Sequence, residues 1–188
     1  MIIAISGTPG TGKSVVTKML AEKLKVNLII IPLLIRKKLL RYGYDKKRKT
    51  KIIDENDFAK AVKKVIVKDK INVIESHLAH LVKADFTFIL RTNPVVLEKR
   101  LRKRDWKQAK IRENLEAEIL DEITIEALNK NNNIYEIDTS KITAKKTVAI
   151  ILKILNNYHY RKKYLVGKID WTRKYEYFLR KSDFHDMA

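Results

Sequence analysis

A chain of 188 residues with an apolar fraction of 45% is long enough for one domain with a real core and short for two. No cysteine is present, which excludes disulfides, thiol catalysis and cysteine-ligated zinc. Lys and Arg number 41 against 22 Asp and Glu, giving a formal charge of +19 and a pI near 9.9; such a field draws in phosphate-rich partners, although lysine used as a default surface residue would produce it too.

Residues 1–6 (MIIAIS) form a short apolar run that stops at a glycine turn, as a buried parallel strand does. No basic leader precedes it and no apolar run approaches the roughly 18 residues that span a bilayer, so a soluble, cytoplasmic protein without a membrane partner is expected. Over 14–25, Val16, Met19, Leu20 and Leu24 recur at helical spacing while Lys18, Glu22, Lys23 and Lys25 face outward. A second apolar run at 28–35 is broken by Pro32, which predicts a strand ending near Ile31 and a helix over 33–40. Residues 41–51 are strongly basic, contain Gly43 and read as a loop; the run DKKRKTK at 45–51 has the look of an import signal, but such runs arise easily in so basic a chain. Asp54 or Asn56 then offers an N-cap to a helix bearing Phe58, Ala61, Val62, Val65 and Ile66.

Two strands follow, one at 71–75 closing on Glu75 and one at 86–90 running out at Arg91 and Thr92. Pro94 opens a helix with Val96, Leu97 and Leu101 on one face. A break near Asp105 and Trp106 precedes one long helix over 109–128, a fifth strand at 134–137 and a closing helix over 144–155 with Val148, Ile151, Leu152 and Leu155 toward the core. Strands alternating with helices predict an α/β domain over 1–155, a three-layer fold whose five-stranded parallel sheet is covered on both faces. From 156 the composition shifts. Tyr158, Tyr160, Tyr164, Trp171, Tyr175, Tyr177, Phe178 and Phe184 interleave with Arg161, Lys162, Lys163, Lys168, Arg173, Lys174, Arg180 and Lys181. This basic and aromatic extension, 156–188, reads equally as an RNA-contacting surface and as helices packing their rings on the core.

The chemistry starts at GTPGTGKS, residues 7–14. Glycines at 7, 10 and 12 let successive N–H groups turn inward on phosphates with a helix N-terminus behind them, Lys13 adds a point charge at the β- and γ-phosphates, and the Ser14 hydroxyl suits Mg²⁺. This is a P-loop, and its ATP contacts are expected from Gly10, Thr11, Gly12, Lys13, Ser14 and Val15. Such a site needs a second carboxylate at a neighbouring strand end to hold the metal, and Glu75 stands in that place. His77, two residues on, could orient or deprotonate an attacking group. Arg100 and Arg104, one helical turn apart, present two planar forks on one side for phosphate oxygens or a purine face, and Arg36 could meet a second anionic substrate.

At these residues the sequence resembles the adenylate kinase isoenzyme 6 family, nucleoside-monophosphate-kinase-like proteins linked to maturation of the small ribosomal subunit. The resemblance runs over about 1–155 and rests on GTPGTGKS, on GYD at 43–45 preceded by Arg36, on DEND at 54–57, on Glu75, Ser76 and His77, on ILRTNPVVLEKRLRKR at 89–104, and on Lys110, Asn114 and Glu118. It implies a P-loop NTPase fold with a monophosphate-binding region near 32–70 and a small helical lid near 104–118. It implies transfer of the ATP γ-phosphoryl to AMP, giving ADP, with Lys13, His77 and Arg104 catalytic. Arg36 would hold the AMP phosphate, Arg100 and Arg104 ATP, and Ser14 and Glu75 Mg²⁺, Glu75 through a water. Its partners would be a platform protein of the small subunit and rRNA, and an ATPase switch in subunit assembly is the competing implication. Two positions depart from the family pattern: Glu75 replaces an aspartate, and Leu33 replaces an acidic residue at the start of the monophosphate region.

Overall fold

In a computed structural model of the chain, residues 1–45 and 50–180 are described. The remainder of the basic 45–51 run and the extension's Lys181 and Phe184 lie outside them. Five strands, β1 (Ile2–Ser6), β2 (Asn27–Ile30), β5 (Asn72–Glu75), β6 (Phe86–Arg91) and β7 (Ile134–Asp138), pair in parallel in the order β2-β5-β1-β6-β7. β1 is central, so the loop that leaves it emerges in the middle of the sheet's C-terminal edge.

Alternation along β1 sorts the two cores. Ile3 and Ile5 join Val16 and Leu20 of α1 (Lys13–Leu24) and Val148, Ile151 and Ile154 of α7 (Ala144–Asn156) on one face. Ala4 faces the other way, toward Leu34 of α2 (Ile31–Arg36) and Phe58, Ala61 and Val62 of α3 (Glu55–Lys63). Burial on both faces explains why these strands read as continuous apolar runs. The α/β three-layer sandwich with a five-stranded parallel sheet expected from the sequence is the fold observed.

Asp54 caps α3, accepting from Asp57 N at 2.9 Å. Three local readings need correction. The helix after β2 begins at Ile31 and ends at Arg36, because Pro32 occupies its first turn, where a missing N–H costs nothing. The supposed loop at 41–51 contains an antiparallel hairpin, β3 (Gly43–Asp45) with β4 (Thr50–Ile52), in which Tyr44 faces Lys51. The single long helix over 109–128 is two, α5 (Gln108–Ile119) and α6 (Glu122–Leu128), broken where Asp121 takes a left-handed φ of 57° and turns its carboxylate to Arg91. The break at Asp105, φ 53°, falls as predicted between α4 (Pro94–Arg102) and α5.

Beyond α7 the chain forms α8 (Tyr158–Arg161), a 3₁₀ turn (Lys162–Tyr164) and α9 (Thr172–Arg180). Tyr160 and Tyr164 pack against the α1/α7 core, and Phe178 joins Leu97, Leu101, Ile111 and Leu115 beneath α4 and α5. No helix among the described residues is long and apolar enough to cross a membrane.

Candidate active site

The loop between β1 and α1 is built by its glycines at two kinds of cost. Gly7 has φ 136°, and a Cβ there would stand 2.3 Å from the Leu90 carbonyl oxygen, so backbone contact as well as conformation demands glycine. Gly12 has φ 98° with open space around it, so conformation alone selects it as the N-cap of α1. Lys13 folds back over this loop, and its Nζ donates to Gly7 O at 2.5 Å and Thr8 O at 3.1 Å. Burial lowers the Lys13 pKa to about 8; Glu75 and Glu118 oppose the shift and Arg104 adds to it.

Parallel pairing sets Glu75 beside Ile5, one residue before Ser6 and the glycine turn. Its Oε1 accepts from the Ser14 hydroxyl at 3.3 Å. A hydroxyl and a carboxylate converging at the loop, with no cluster of three His, Cys, Asp or Glu among the described residues, fit Mg²⁺, which takes one or two protein oxygens and leaves its other positions to waters and phosphates. His77 lines the same opening. Burial by the surrounding wall, then the Lys13 ammonium and His80, lowers its pKa to about 4, so with its ordinary value already below 7 the ring is neutral at pH 7.

A cleft of about 900 Å³ gathers these groups: Gly10, Gly12, Lys13, Ser14, Val15, Glu75, His77 and Arg104 all line it. Arg104 stands with its Cζ 5.7 Å from the Trp106 ring centre, and Lys110 Nζ lies 4.2 Å from the same ring on the opposite wall formed by α5. Thr11 and Arg100 are placed differently. Thr11 is buried behind the loop, its hydroxyl on Thr8 O, and Arg100 braces that loop from α4, donating to Thr139 O at 2.8 Å and reaching Gly10 O at 3.4 Å. Arg36 is exposed at the end of α2 and is not among the cleft's lining residues.

Several residues of this region were not singled out from the sequence. Arg91, 2% exposed, donates to Glu118 at 2.9 Å and to Glu136 at 2.6 Å and is paired with Asp121. Burial works against its charge, but the surrounding carboxylates outweigh it and raise its pKa. His80 is buried with Nδ1 2.9 Å from the Ser6 hydroxyl and Nε2 2.7 Å from Glu126, and burial lowers its pKa against the pull of that carboxylate. Glu55, Glu113, Glu116, Glu122 and Glu126 also line the cleft. An arginine closing an apolar strand was the one available signal for the buried network, since a cation in that place needs carboxylates to accompany it.

Residues 3–121 match the AAA domain family. Over 177 residues the chain is 38% identical to a protein of Pyrococcus furiosus named "Putative adenylate kinase", covering 94% of each. A Methanocaldococcus jannaschii protein of the same name is 35% identical, with 93% of this chain and 95% of that one covered. The chain belongs to this nucleotide-kinase family. At such coverage the kinase's likeness to its archaeal relatives takes in most of the segment after Asn156, further than the motifs quoted from the sequence reach. Among solved structures, the deoxyadenosine kinase from M. mycoides superposes with a TM-score of 0.57 at 16% identity, covering 84% of this chain and all of that one. Shikimate kinase from Bacteroides thetaiotaomicron gives 0.54 at 18% identity, with 83% and 98% covered. At those identities the likeness establishes the P-loop fold alone. Phosphoryl transfer involving a nucleotide is the reaction class of the family to which the kinase belongs.

Proposed function

We propose that the cleft transfers the γ-phosphoryl of Mg-bound ATP to AMP. The observation that carries this reading is the convergence, in one opening, of the Lys13 ammonium and the Ser14–Glu75 pair with Arg104 and Lys110 on the facing wall. Phosphoryl transfer asks a protein mainly for positioning and for positive charge around the transferring group, and this set supplies both. ATP phosphates would lie on the loop N–H groups from Gly10 to Val15 with Lys13 at the β- and γ-phosphates and Arg100 behind the loop. Ser14 directly and Glu75 through a water would hold Mg²⁺, which would supply neutralisation of phosphate charge. Arg104 then meets the transferring group. Arg36 can reach an AMP phosphate only if the 32–70 region closes over the cleft.

One observation favours a second reading, an ATPase. The cleft lining carries five glutamates besides Glu75 and does not include Arg36, a poor setting for a monophosphate dianion, while neutral His77 can accept a hydrogen bond from an attacking water. An AMP phosphate oxygen has no proton to give up, so His77 matters more to hydrolysis than to transfer. Coupling of either activity to small-subunit assembly, with a platform protein and rRNA as partners, rests on the sequence resemblance and on the charge of +19.

Incubation with Mg-ATP, with and without AMP, decides between the two. AMP-dependent formation of ADP without free phosphate supports the kinase; phosphate release indifferent to AMP refutes it and leaves the ATPase.

A further inference from the structure

The glycine loop and the lid helix meet in a buried pair of side chains. Thr8 is 2% exposed, and its hydroxyl donates to Glu118 Oε2 at 2.6 Å. Glu118 sits in the last turn of α5, whose earlier turns bring Lys110 and Asn114 to the cleft. Its other oxygen accepts from Arg91 Nε at 2.9 Å and Thr92 N at 3.0 Å, so the carboxylate keeps hydrogen-bond partners if the Thr8 hydroxyl is removed.

The main chain of Thr8 faces the other way. Its carbonyl accepts from Lys13 Nζ at 3.1 Å and from the Thr11 hydroxyl at 2.9 Å. One residue thus touches the phosphate-seeking ammonium through its backbone and the lid helix through its side chain. A phosphate entering the loop is a stronger acceptor than two neutral carbonyls and draws Nζ off Gly7 and Thr8. Thr8 then loses a charged donor at its carbonyl while its hydroxyl stays tied to α5, and any resettling of the loop is delivered to that helix.

We propose that the Thr8–Glu118 hydrogen bond is a latch coupling phosphate occupancy of the loop to the placement of α5, with Thr8 and Glu118 as positioning residues for phosphoryl transfer. The proposal rests on the nucleotide-kinase reading for the identity of its ligand, ATP.

Thr8→Val keeps shape and burial but removes the donor, and it leaves Glu118 with its Arg91 and Thr92 partners. The latch predicts ATP affinity within about threefold of wild type, turnover lower by about tenfold or more, and recovery in Thr8→Ser. Trp106, between Arg104 and Lys110 at the start of the lid, reports the coupling in a Trp171→Phe background: Mg-ATP should change its emission in that protein and not once Thr8→Val is added. Wild-type turnover in Thr8→Val, a loss of affinity that accounts for all of the loss of rate, or a Thr8→Ser variant no better than Thr8→Val overturns the latch. Should Thr8→Val not fold, amide exchange over 108–119 in the wild type serves instead; protection there must respond to Mg-ATP, and indifference overturns the proposal. Absence of ATP binding by the wild type would instead remove the kinase reading, an outcome separate from all of these.

Discussion

Replacing Lys13 by methionine should make the nucleotide-free protein more stable while destroying its activity. Lys13 is 8% exposed, and burial brings its pKa from the ordinary 10.5 to about 8. At about 1.36 kcal/mol per pH unit, keeping this ammonium charged at neutral pH costs the fold about 3 kcal/mol. Methionine removes the charge and keeps most of the volume, but it leaves Gly7 O without the donor at 2.5 Å, a loss of about 1 kcal/mol, whereas Thr8 O retains Thr11. The net gain of about 2 kcal/mol corresponds to a rise in Tm of about 4–8 °C for a chain of this size. The sign with pH follows from the depressed pKa. Below about pH 8 both folded and unfolded wild type hold the proton and the full cost is present. Between about 8 and 10.5 the folded state sheds it first, so wild-type stability climbs and the advantage of Lys13→Met shrinks. Thermal melts at pH 7 and pH 9.5 measure this, and Mg-ATP should raise the Tm of the wild type alone. A less stable Lys13→Met at pH 7 without nucleotide would refute the reasoning, because it would mean that the ammonium supports the loop more than its burial strains it.

Alanine at the two loop glycines should separate backbone conformation from collision. Gly12→Ala meets only the strain of φ 98° and should cost about 1–2 kcal/mol, while Gly7→Ala also drives a Cβ into the Leu90 carbonyl and should cost clearly more, both read by urea denaturation. Arg91→Met leaves Glu118 and Glu136 buried without their cation and should destabilise by about 3–5 kcal/mol; that deficit should narrow as pH falls and the abandoned carboxylates take up protons, which melts between pH 7 and pH 5 will follow. His77→Asn should depress phosphate release from ATP by tenfold or more while leaving AMP-dependent ADP formation within a few-fold, and equal losses in the two assays would contradict the division of roles given to it.

What was legible in the sequence was local. The P-loop declares itself in eight consecutive residues because its chemistry is carried by the backbone that those residues permit. Glu75 was legible because a carboxylate ending an apolar strand has few places to go but a sheet edge. The long-range contacts were not legible. The 109–128 stretch has unbroken helical periodicity, and the cause of its break is Arg91, thirty residues upstream, which pairs with Asp121. Arg91 read as the end of a strand and is the last residue of β6; its buried partners on α5 and β7 were what the local pattern could not show. The β3–β4 hairpin escaped notice because its pairs, Tyr44 with Lys51 and Asp45 with Thr50, lack the alternating apolar pattern that announces a half-buried strand. Arg36 is a different case. A cation placed after the second strand suggests an anion site, but a helix that begins at Ile31 leaves that side chain exposed at its last turn.

The C-terminal segment bears on how its partners should be sought. Among its described residues, Tyr175 is 6% exposed and Phe178 packs against α4 and α5, while Tyr158 and Tyr177 are the exposed large aromatics. Thr172 Oγ1 donates to Ile119 O at the end of α5, and Tyr175 OH to Asn93 Oδ1 at the N-cap of α4, so the segment clasps the helices that carry Arg100 and Lys110 and that flank the turn bearing Arg104. Deleting 156–188 would therefore strip support from α4 and α5 along with any basic surface, and a resulting loss of RNA retention or turnover would not say which had mattered. Neutralising the exposed pair Arg173 and Lys174 leaves the clasp in place. If RNA retention then keeps its full salt dependence, phosphate contacts by this pair are excluded, while the hydrogen bonds from Thr172 and Tyr175 to the ends of α5 and α4 stand either way.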